Sequence, residues 1–419
     1  MHIPISPWFL LALAVPVLLA GEFVLRRATP LARLNIPVPV VGGLLFSALV
    51  LGLKLSGVAD LSIGTKVDAG WWTWLVTPDT QWLARPARNL NLPLLVAFFT
   101  CIGLGAPLKV LRSGGRMLAV LLIGATLLAV LQNTIGVALA AAMGAPLLLG
   151  VVCGALTLVG GHGTALGFAP RFEQAGLASA ATIAASAATF GLIAGGLLAG
   201  PLGAWLLRVP SAKGEARAPA VASFATDLRT LAAFGRSALL HVLIVAACVK
   251  AGAWASFGLE QAGASLPAYM GALLVGFAVR ALHDMSGGAW LRSDVIGALA
   301  AVLLPLFLAV TLAALNLAEL AGVAGPMLVI LLANTAASLA FIALLAWPLL
   351  GRDSEAGVAC AGLAGFGIGS TATAVAAMDS LTRERGPAPR ATALVPPTGG
   401  FLIDLTNAPV ISIFINLLR

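Results

Sequence analysis

The sequence predicts an all-α polytopic membrane protein with ten transmembrane helices, arranged as two inverted-topology repeats of five helices, each with a re-entrant hairpin. Three observations support this fold class. Hydrophobic residues make up 60% of the 419-residue chain and charged residues only 10%, whereas soluble domains carry roughly 25% charged residues. Ten apolar runs are long enough to cross a bilayer. Two glycine motifs recur at matching places in the two halves of the chain.

Apolar runs of about 17 to 25 residues predict the membrane spans. In the first half these runs cover 7–25, 38–56, 91–111, 117–143 and 177–207, and in the second half 237–257, 266–283, 296–316, 326–348 and 391–418. No cationic segment precedes the first run and no clear cleavage site follows it. We therefore interpret it as the first span and not as a removable signal.

The two glycine motifs are GGHGTA, Gly160 to Ala165, and GIGSTA, Gly367 to Ala372. Gly161 and Gly367 lie 206 residues apart, close to half of the chain, which indicates a duplicated unit. Runs of Gly, Ser and Thr make a poor continuous helix, and irregular backbone survives at membrane depth only where protein surrounds it or it lines a cavity. Paired breaks of this kind point to the binding site of a secondary transporter.

Each half also has an apolar, Gly-rich segment before its last span, at about 147–175 and 356–384, which fits a re-entrant hairpin better than a crossing. Five crossings per half is an odd number, so the two copies must insert in opposite orientations. The predicted domains are therefore repeat 1 at 1–207, a cytoplasmic linker at 208–236 and repeat 2 at 237–419. Because Ala, Pro and charged residues replace Leu, Val and Ile in the linker, we expect it to be mobile and to carry no chemistry.

The basic residues predict the orientation in the membrane. By the positive-inside bias, the side that collects most Lys and Arg is cytoplasmic, which places both termini in the periplasm. The basic residues on that side are Arg26, Arg27, Arg33, Arg112, Arg116, Arg208, Lys213, Arg217, Arg229, Arg236, Arg280, Arg292, Arg352, Arg383, Arg385 and Arg390. The net charge of +8 thus reflects topology, and we expect no nucleic-acid partner.

An outer loop at 57–90 is the exception to this bias, because it carries Lys66, Arg85 and Arg88. It also contains the run WWTW, which suits an amphipathic segment lying at the lipid interface. The four cysteines lie in apolar runs without CxxC spacing, so we expect neither a disulfide framework nor a metal cluster.

The tips of the two predicted hairpins are candidates for binding an anion. A hairpin of two half-helices presents a helix N-terminus, with free N–H groups and partial positive charge, at its tip. No Arg or Lys lies near the centre of either hairpin, so backbone donors and hydroxyl groups are the expected ligands. The substrate-binding candidates are Gly160, Gly161, His162, Gly163, Thr164, Gly367, Gly369, Ser370, Thr371, Thr373 and Asn133. The alternative is that these glycines only permit tight helix packing.

Asp404 is the candidate for binding a coupling cation. It lies in the apolar run FLIDL, where a carboxylate is energetically expensive and by default indicates an ion or proton site. Asn407 follows on the same helical face, and Pro and Gly residues just upstream break the helix and free its carbonyls. Such hard oxygen ligands suit sodium, so we predict sodium ligands at Asp404, Asn407, Thr406 and Thr189 and no other metal or cofactor. The alternative is a structural hydrogen bond to a neighbouring helix.

Other polar residues in the spans leave more than one interpretation open. His162 fits a proton-coupling group, a neutral donor near the substrate or a structural side chain. Gln132, Asn133, Asn334 and Thr335 lie in the fourth and ninth spans, where each needs a partner and could brace the hairpins.

Five segments resemble a known family. They are QNTIGVALA (Gln132 to Ala140), LVGGHGTALGFA (Leu158 to Ala169), TFGLIAGGLLAGP (Thr189 to Pro201), GFGIGSTATAVAAM (Gly365 to Met378) and FLIDLTNAPVI (Phe401 to Ile411). They are similar, in the same order, to segments of bacterial sodium/glutamate symporters. The resemblance implies a sodium-coupled importer of L-glutamate in the bacterial inner membrane, with two inverted repeats, two re-entrant hairpins, a homodimer and an elevator motion.

An elevator motion divides the predicted spans into two groups. We expect a mobile unit of 91–207 and 296–418 that slides against a scaffold of 7–56 and 237–283, whose apolar faces pair two protomers. If the repeats are inverted, the two hairpin tips should approach each other near the bilayer midplane.

Three other functions are weaker interpretations. Ser370 and His162 could be imagined as the nucleophile and base of a hydrolase, but GIGST lacks a GxSxG elbow, so we do not expect an enzyme. A channel fits the duplicated breaks and the off-centre carboxylate less well than alternating access does. The remaining alternative is a sodium- or proton-coupled carrier of another small dicarboxylate or amino acid.

Overall fold

The computed structural model describes residues 2–28, 37–67, 70–82, 88–106, 114–207, 223–262, 267–315, 317 and 322–418. Residues 208–222 of the predicted linker and 83–87 of the predicted outer loop lie outside this range. The described chain is helical apart from one short parallel pair of strands, β1 (His2–Ile5) and β2 (Asp60–Ile63).

The helices follow one another in this order: α1 (Pro7–Arg27), α2 (Val38–Leu55), α3 (Gly70–Trp74), α4 (Asp79–Trp82), α5 (Leu92–Gly105), α6 (Gly115–Ala142), α7 (Leu147–Val151), α8 (Gly161–Gln174), α9 (Ala180–Leu206), α10 (Phe224–Ala233), α11 (Arg236–Gln261), α12 (Ala268–Ser286), α13 (Ser293–Ala313), α14 (Ala324–Phe341), α15 (Trp347–Leu350), α16 (Ser354–Ile368), α17 (Thr371–Arg385), α18 (Pro389–Pro397) and α19 (Ile403–Leu417). Three π-helical segments continue α7, α14 and α18, at Val152–Leu156, Ile342–Ala346 and Thr398–Leu402.

Eight helical stretches within the described residues are long and apolar enough to cross a membrane. They are α1, α2, α6, α9, α11, α13, the stretch from α14 to α15 and the stretch from α18 to α19. The other two predicted spans, 91–111 and 266–283, correspond to α5, with 14 residues, and α12, with 19 residues. The structure is therefore that of an all-α multi-pass membrane protein, and ten crossings remain a prediction.

The chain divides into two compact units, and each unit takes segments from both halves of the sequence. Unit 1 comprises 1–28, 37–108 and 220–318, and unit 2 comprises 29–36, 109–219 and 319–419. Neither unit corresponds to one predicted repeat, so the repeats at 1–207 and 237–419 remain a prediction.

In unit 1, α5 packs on α12, and α13 packs on both α5 and α2. Gly103 of α5 and Gly276 of α12 let the two backbones approach closely, as small residues do between membrane helices. The spans 91–111 and 296–316 therefore belong with unit 1. The prediction that grouped them with the hairpins is wrong, because apolar runs do not reveal which neighbour a helix contacts.

The second part of the predicted linker is ordered in unit 1. Helix α10 packs on α13 and buries Phe224. The prediction of a wholly mobile linker is thus wrong for this part, because one apolar side chain anchors an amphipathic helix.

The segment before α5 is fixed by Lys250 of α11. Its ammonium group donates to the carboxylate of Asp79 at 2.8 Å and to the carbonyl oxygens of Trp74 and Thr77. The hydrogen bond from Lys250 lowers the pKa of Asp79. Trp8 stacks on Trp71 nearby, with ring centroids 5.6 Å apart, as expected for aromatic residues at a lipid interface.

Candidate functional site

Both predicted hairpin segments are broken helices in unit 2. In the first, α7 runs into a π-helical segment whose Gly154 leaves helical geometry (φ −106°, ψ −134°), and α8 begins only at Gly161. In the second, α16 ends at Ile368 and α17 begins at Thr371. The arms of the second segment pack side by side in opposite directions, with Gly365 against Ala374 and Gly362 against Met378.

The two breaks meet. A Cβ atom added to Gly161 would lie 3.6 Å from the carbonyl oxygen of Gly369. Gly161 has φ +61°, a conformation that favours glycine. Helix α9 packs against the second break through Gly195, where an added Cβ would lie 3.1 Å from the Cα of Gly369. The structure thus brings the two glycine motifs together, as the sequence predicts for the tips of two hairpins, which themselves remain a prediction.

The helices that leave the two breaks have different N-termini. No side chain caps α8, whose N-cap residue is Gly160, and Gly160, Gly161 and Gly163 are partly exposed. In contrast, α17 carries a capping box in which Ser370 Oγ accepts the N–H of Thr373 and Thr373 Oγ1 accepts the N–H of Ser370. The N–H of Gly161 donates to the carbonyl of Thr157 at 3.1 Å, and the N–H groups that follow it in the first turn of α8 remain available to an anion.

Asp404 faces the first turn of α8. Thr164 Oγ1 donates a hydrogen bond of 3.0 Å to Asp404 Oδ1, and both side chains are buried. This bond joins α19 to the uncapped helix N-terminus. A carboxylate therefore lies beside the donors that an anionic substrate would use.

The other candidates with side-chain hydroxyl or imidazole groups have separate partners. Thr189 Oγ1 donates to the carbonyl of Ala185, so it accepts from His162 Nε2 at 3.1 Å, and His162 carries its proton on Nε2. Thr406 pairs with Thr126 at 2.8 Å. The four predicted sodium ligands thus lie in four separate networks: Asp404 bonds to Thr164, Thr406 to Thr126, Thr189 to His162 and Asn407 to the backbone of Ala155.

Three asparagines converge on the break at Gly154. Asn133 Oδ1 accepts the N–H of Ala155 at 2.9 Å, and Asn407 Nδ2 donates to the carbonyl of the same residue at 3.1 Å. Asn334 Nδ2 donates to the carbonyl of Cys153 at 3.0 Å. Amides from α6, α14 and α19 thus bind backbone groups at the break, where the carbonyl of Ala155 also accepts the N–H of Gly160 at 3.0 Å.

Gln132 braces the second break. Its Nε2 donates to the carbonyl of Gly367 at 2.8 Å and to Ser338 Oγ at 2.9 Å. Thr335, in contrast, bonds to the carbonyl of Leu331 in its own helix. The structure therefore gives Gln132, Asn133 and Asn334 the bracing contacts that the sequence predicted, and gives Thr335 a local bond.

The sequence interpretation missed Thr126 and Ser338. Nothing in the sequence distinguishes Thr126 from any other membrane threonine. Ser338 did carry a signal, because it follows Gln132 by 206 residues, the same spacing as the glycine motifs.

Comparison with known proteins is consistent with these features. The family model described as sodium/glutamate symporter matches residues 74–387. The sodium/glutamate symporters of Escherichia coli (strain K12) and Haemophilus influenzae are each 34% identical to this chain, over 97% of its length and 96% of theirs. Among solved structures, a sodium proton antiporter from Methanocaldococcus jannaschii covers 98% of this chain and 94% of its own, with 14% identity and a TM-score of 0.44, which is too low to support a structural argument.

The family model covers well over half of the chain, and the two relatives cover nearly all of it. The resemblance of the five segments is thereby confirmed. The chain belongs to the sodium/glutamate symporter family.

Proposed function

We propose that this protein is a secondary active transporter of the bacterial inner membrane that imports L-glutamate by sodium symport. As a symporter it is a carrier and not an enzyme. The observation that carries the proposal is the meeting of the two helix breaks at Gly161 and Gly369, in a member of this family.

Glutamate would bind where the breaks meet. One carboxylate would accept hydrogen bonds from the N–H groups of the first turn of α8, which no side chain caps. Ser370 and Thr371, both partly exposed at the second break, offer hydroxyl donors to the other carboxylate. No arginine or lysine is required, because the uncapped N-terminus of α8 and two hydroxyl groups supply the donors.

Asp404 would couple the two solutes. Through Thr164 its carboxylate lies next to the turn that binds the substrate, so an uncompensated negative charge there would repel glutamate. A sodium ion on Asp404 would cancel that charge, and glutamate would then bind more tightly. Linkage requires the reverse as well, since bound glutamate must tighten sodium binding by the same factor.

The architecture would be two inverted repeats with ten crossings, two re-entrant hairpins and both termini in the periplasm. The contact between Gln132 and Ser338 joins residues 206 positions apart, the spacing of the glycine motifs, as expected of two repeats related by a pseudo-two-fold axis. In an elevator motion, unit 2 would carry the substrate, and unit 1 would form the scaffold and the homodimer contact.

The test is uptake of radiolabelled glutamate into proteoliposomes with sodium, potassium and proton gradients imposed separately. We expect saturable uptake that an inward sodium gradient drives. Equal uptake in sodium and potassium, driven by a pH gradient, would refute sodium symport. Competition by aspartate, citrate, succinate and malate separates a glutamate carrier from a carrier of another dicarboxylate.

The inverted topology has its own test. A cysteine introduced by Ala220→Cys, outside the described residues, should react only with reagents that reach the cytoplasm, whereas Leu418→Cys should react from the periplasm. Labelling of both from one face would mean an even number of crossings per repeat.

A further inference from the structure

A groove lies at the ends of two long helical stretches of unit 2. Its cavity has a volume of about 550 Å³, within the range of roughly 300–1,000 Å³ that is typical of ligand sites. Leu206 and Leu207 at the end of α9 form one wall, and side chains from 343–348 at the end of the stretch from α14 to α15 form the other. Because both stretches are long and apolar enough to cross a membrane, the groove lies where the membrane meets water.

The wall from α14 to α15 is apolar and open to the bilayer. The side chain of Leu344 is 73% exposed, and Trp347 lines the groove at the end of the span, where tryptophan is enriched. The backbone of Ile342–Ala346 is π-helical, a form that is frequent at functional sites. A hydrocarbon chain therefore fits this part of the groove better than a polar ligand does.

Arg352 places a positive charge at the mouth of the groove. It is one of the basic residues predicted to face the cytoplasm, and it is exposed. Its guanidinium group has no hydrogen-bond or ion-pair partner among the described residues. Its backbone has φ +59°, which is uncommon for a residue other than glycine. Backbone strain of this kind is concentrated at binding and switch sites, so the free guanidinium group is a candidate ligand contact.

Asp353 places a negative charge beside it. One carboxylate oxygen, Oδ1, accepts the N–H of Ala356 at 2.8 Å and so caps α16. The other oxygen has no hydrogen-bond or ion-pair partner among the described residues, Arg352 included. Two neighbouring charges of opposite sign, each able to bind another group, match a ligand that also carries both charges.

We propose that this groove binds one molecule of phosphatidylethanolamine. Arg352 would hold the phosphate, to which a guanidinium group can donate two parallel hydrogen bonds. The primary ammonium group of the lipid would donate to Asp353, and an acyl chain would lie along Leu207, Leu344 and Trp347. Phosphatidylglycerol has no ammonium group, and the quaternary ammonium group of phosphatidylcholine has no N–H to donate. The inference does not depend on which solute the protein transports.

The position of the groove gives a bound lipid a structural role in unit 2. Helix α9 packs on α16, and Gly195 of α9 lies against Gly369 at the second break. The groove lies at the other end of α16, where this helix begins. A lipid there would hold the end of α9 against the start of α16. We therefore expect phosphatidylethanolamine to raise the unfolding temperature of the protein.

Lipid binding to the full-length protein tests the inference. Delipidated protein is titrated with phosphatidylethanolamine, phosphatidylglycerol and phosphatidylcholine of identical acyl chains, and bound lipid is counted by native mass spectrometry. The wild type should bind one phosphatidylethanolamine per chain more tightly than either of the other lipids. Arg352→Gly suits the observed φ of +59°. It should weaken the binding of this lipid by about tenfold or more, as expected for the loss of a charge-assisted hydrogen bond.

Two further variants separate charge from fold. Asp353→Asn retains a side chain that caps α16, and it should lose the preference for phosphatidylethanolamine over the other two lipids. Arg292→Gln removes an arginine of unit 1 that already pairs with Asp294, and this control should bind lipid as the wild type does. Phosphatidylethanolamine should raise the unfolding temperature of the wild type and of the control, but not that of Arg352→Gly.

Three results would overturn the inference. The first is binding of phosphatidylethanolamine by folded Arg352→Gly as tight as that of the wild type. The second is a wild-type preference for phosphatidylglycerol that Asp353→Asn leaves unchanged, which would mean that the groove selects an anionic headgroup. The third is equal binding of all three lipids by the wild type. This last comparison decides the question even if a variant does not fold, which its unfolding temperature without lipid reports.

Discussion

The break at Gly154 is held by side chains from other helices, whereas the break at Gly369 is closed largely by its own residues. Asn133, Asn334 and Asn407 bind the backbone of the first break from three different helices. At the second break, Ser370 and Thr373 cap α17 themselves, with Gln132 bound to the preceding turn. Two motifs that are similar in sequence are therefore stabilised in different ways, the first by side chains of other helices and the second largely by its own side chains.

The difference suggests that the two breaks have different roles in substrate binding. The first break leaves the N-terminus of α8 uncapped and places Asp404 beside it through Thr164. The second break satisfies its own helix end before any substrate arrives. We infer that the first break provides most of the donors and the charge coupling, and that the second provides a rigid wall with hydroxyl groups.

The largest effect is expected where the breaks touch. Gly161→Trp and Gly369→Trp should each abolish glutamate uptake while the protein still inserts into the membrane. A Cβ at Gly161 lies 3.6 Å from the carbonyl of Gly369, so an indole would occupy the space between the breaks, and φ +61° adds strain at Gly161. Uptake into proteoliposomes and the amount of membrane-inserted protein are the measurements.

Gly124→Trp is the matched control, because Gly124 also lies in unit 2 but has open space around its Cβ position. This variant should transport as the wild type does. Normal uptake by Gly161→Trp would mean that the substrate does not pass between the breaks.

The second effect concerns the charge of Asp404, which bonds to Thr164 beside the first break. Asp404→Asn keeps the size and the hydrogen-bonding capacity of the side chain but removes the charge that attracts a cation. We expect the half-saturating sodium concentration for uptake to rise by about tenfold or more, since about 1.4 kcal/mol of lost attraction gives that factor. The sodium dependence of initial uptake rates is the measurement.

Asp379→Asn, an exposed acid on α17, is its control and should leave the sodium dependence unchanged. If Asp404→Asn has the sodium dependence of the wild type, Asp404 has a structural role.

The third effect measures how strongly the first break depends on its bracing amides. Asn133→Leu leaves the buried N–H of Ala155 without a partner, which costs about 1–3 kcal/mol of folding stability. The unfolding transition of the purified protein should move to clearly lower temperature. Asn407→Leu should lower it less, because the carbonyl of Ala155 still accepts the N–H of Gly160 at 3.0 Å. Unchanged transitions in both variants would mean that water replaces the amides and that the break does not need them.

The contrast between the breaks could be predicted only in part from the sequence. The glycine motifs predicted where the helices break, because a run such as GGHG disfavours continuous helix whatever surrounds it. The convergence of Asn133, Asn334 and Asn407 could not be predicted, because their positions are set by three helices that are distant in sequence. Thr189 was predicted to bind sodium from its place in repeat 1, yet it accepts a hydrogen bond from His162, which only the tertiary packing decides.

The unit to which each helix belongs could not be predicted from the sequence for a related reason. Every span is apolar on most faces, so the pattern identifies α5 and α13 as membrane helices without indicating their neighbours. Contacts such as Gly103 with Gly276 decide that these two helices belong to unit 1.

The smallest effect is expected at the self-capped break. Ser370→Ala removes the side chain that accepts the N–H of Thr373, and loss of such a cap costs about 1 kcal/mol. Ser370→Asn retains a capping side chain and should unfold at the temperature of the wild type. If Ser370 also donates to glutamate, both variants should raise the KM for uptake, because neither keeps the hydroxyl at the same place. A change in stability without a change in KM would assign Ser370 to the cap alone and leave glutamate binding to the first break, which would sharpen the contrast between the two.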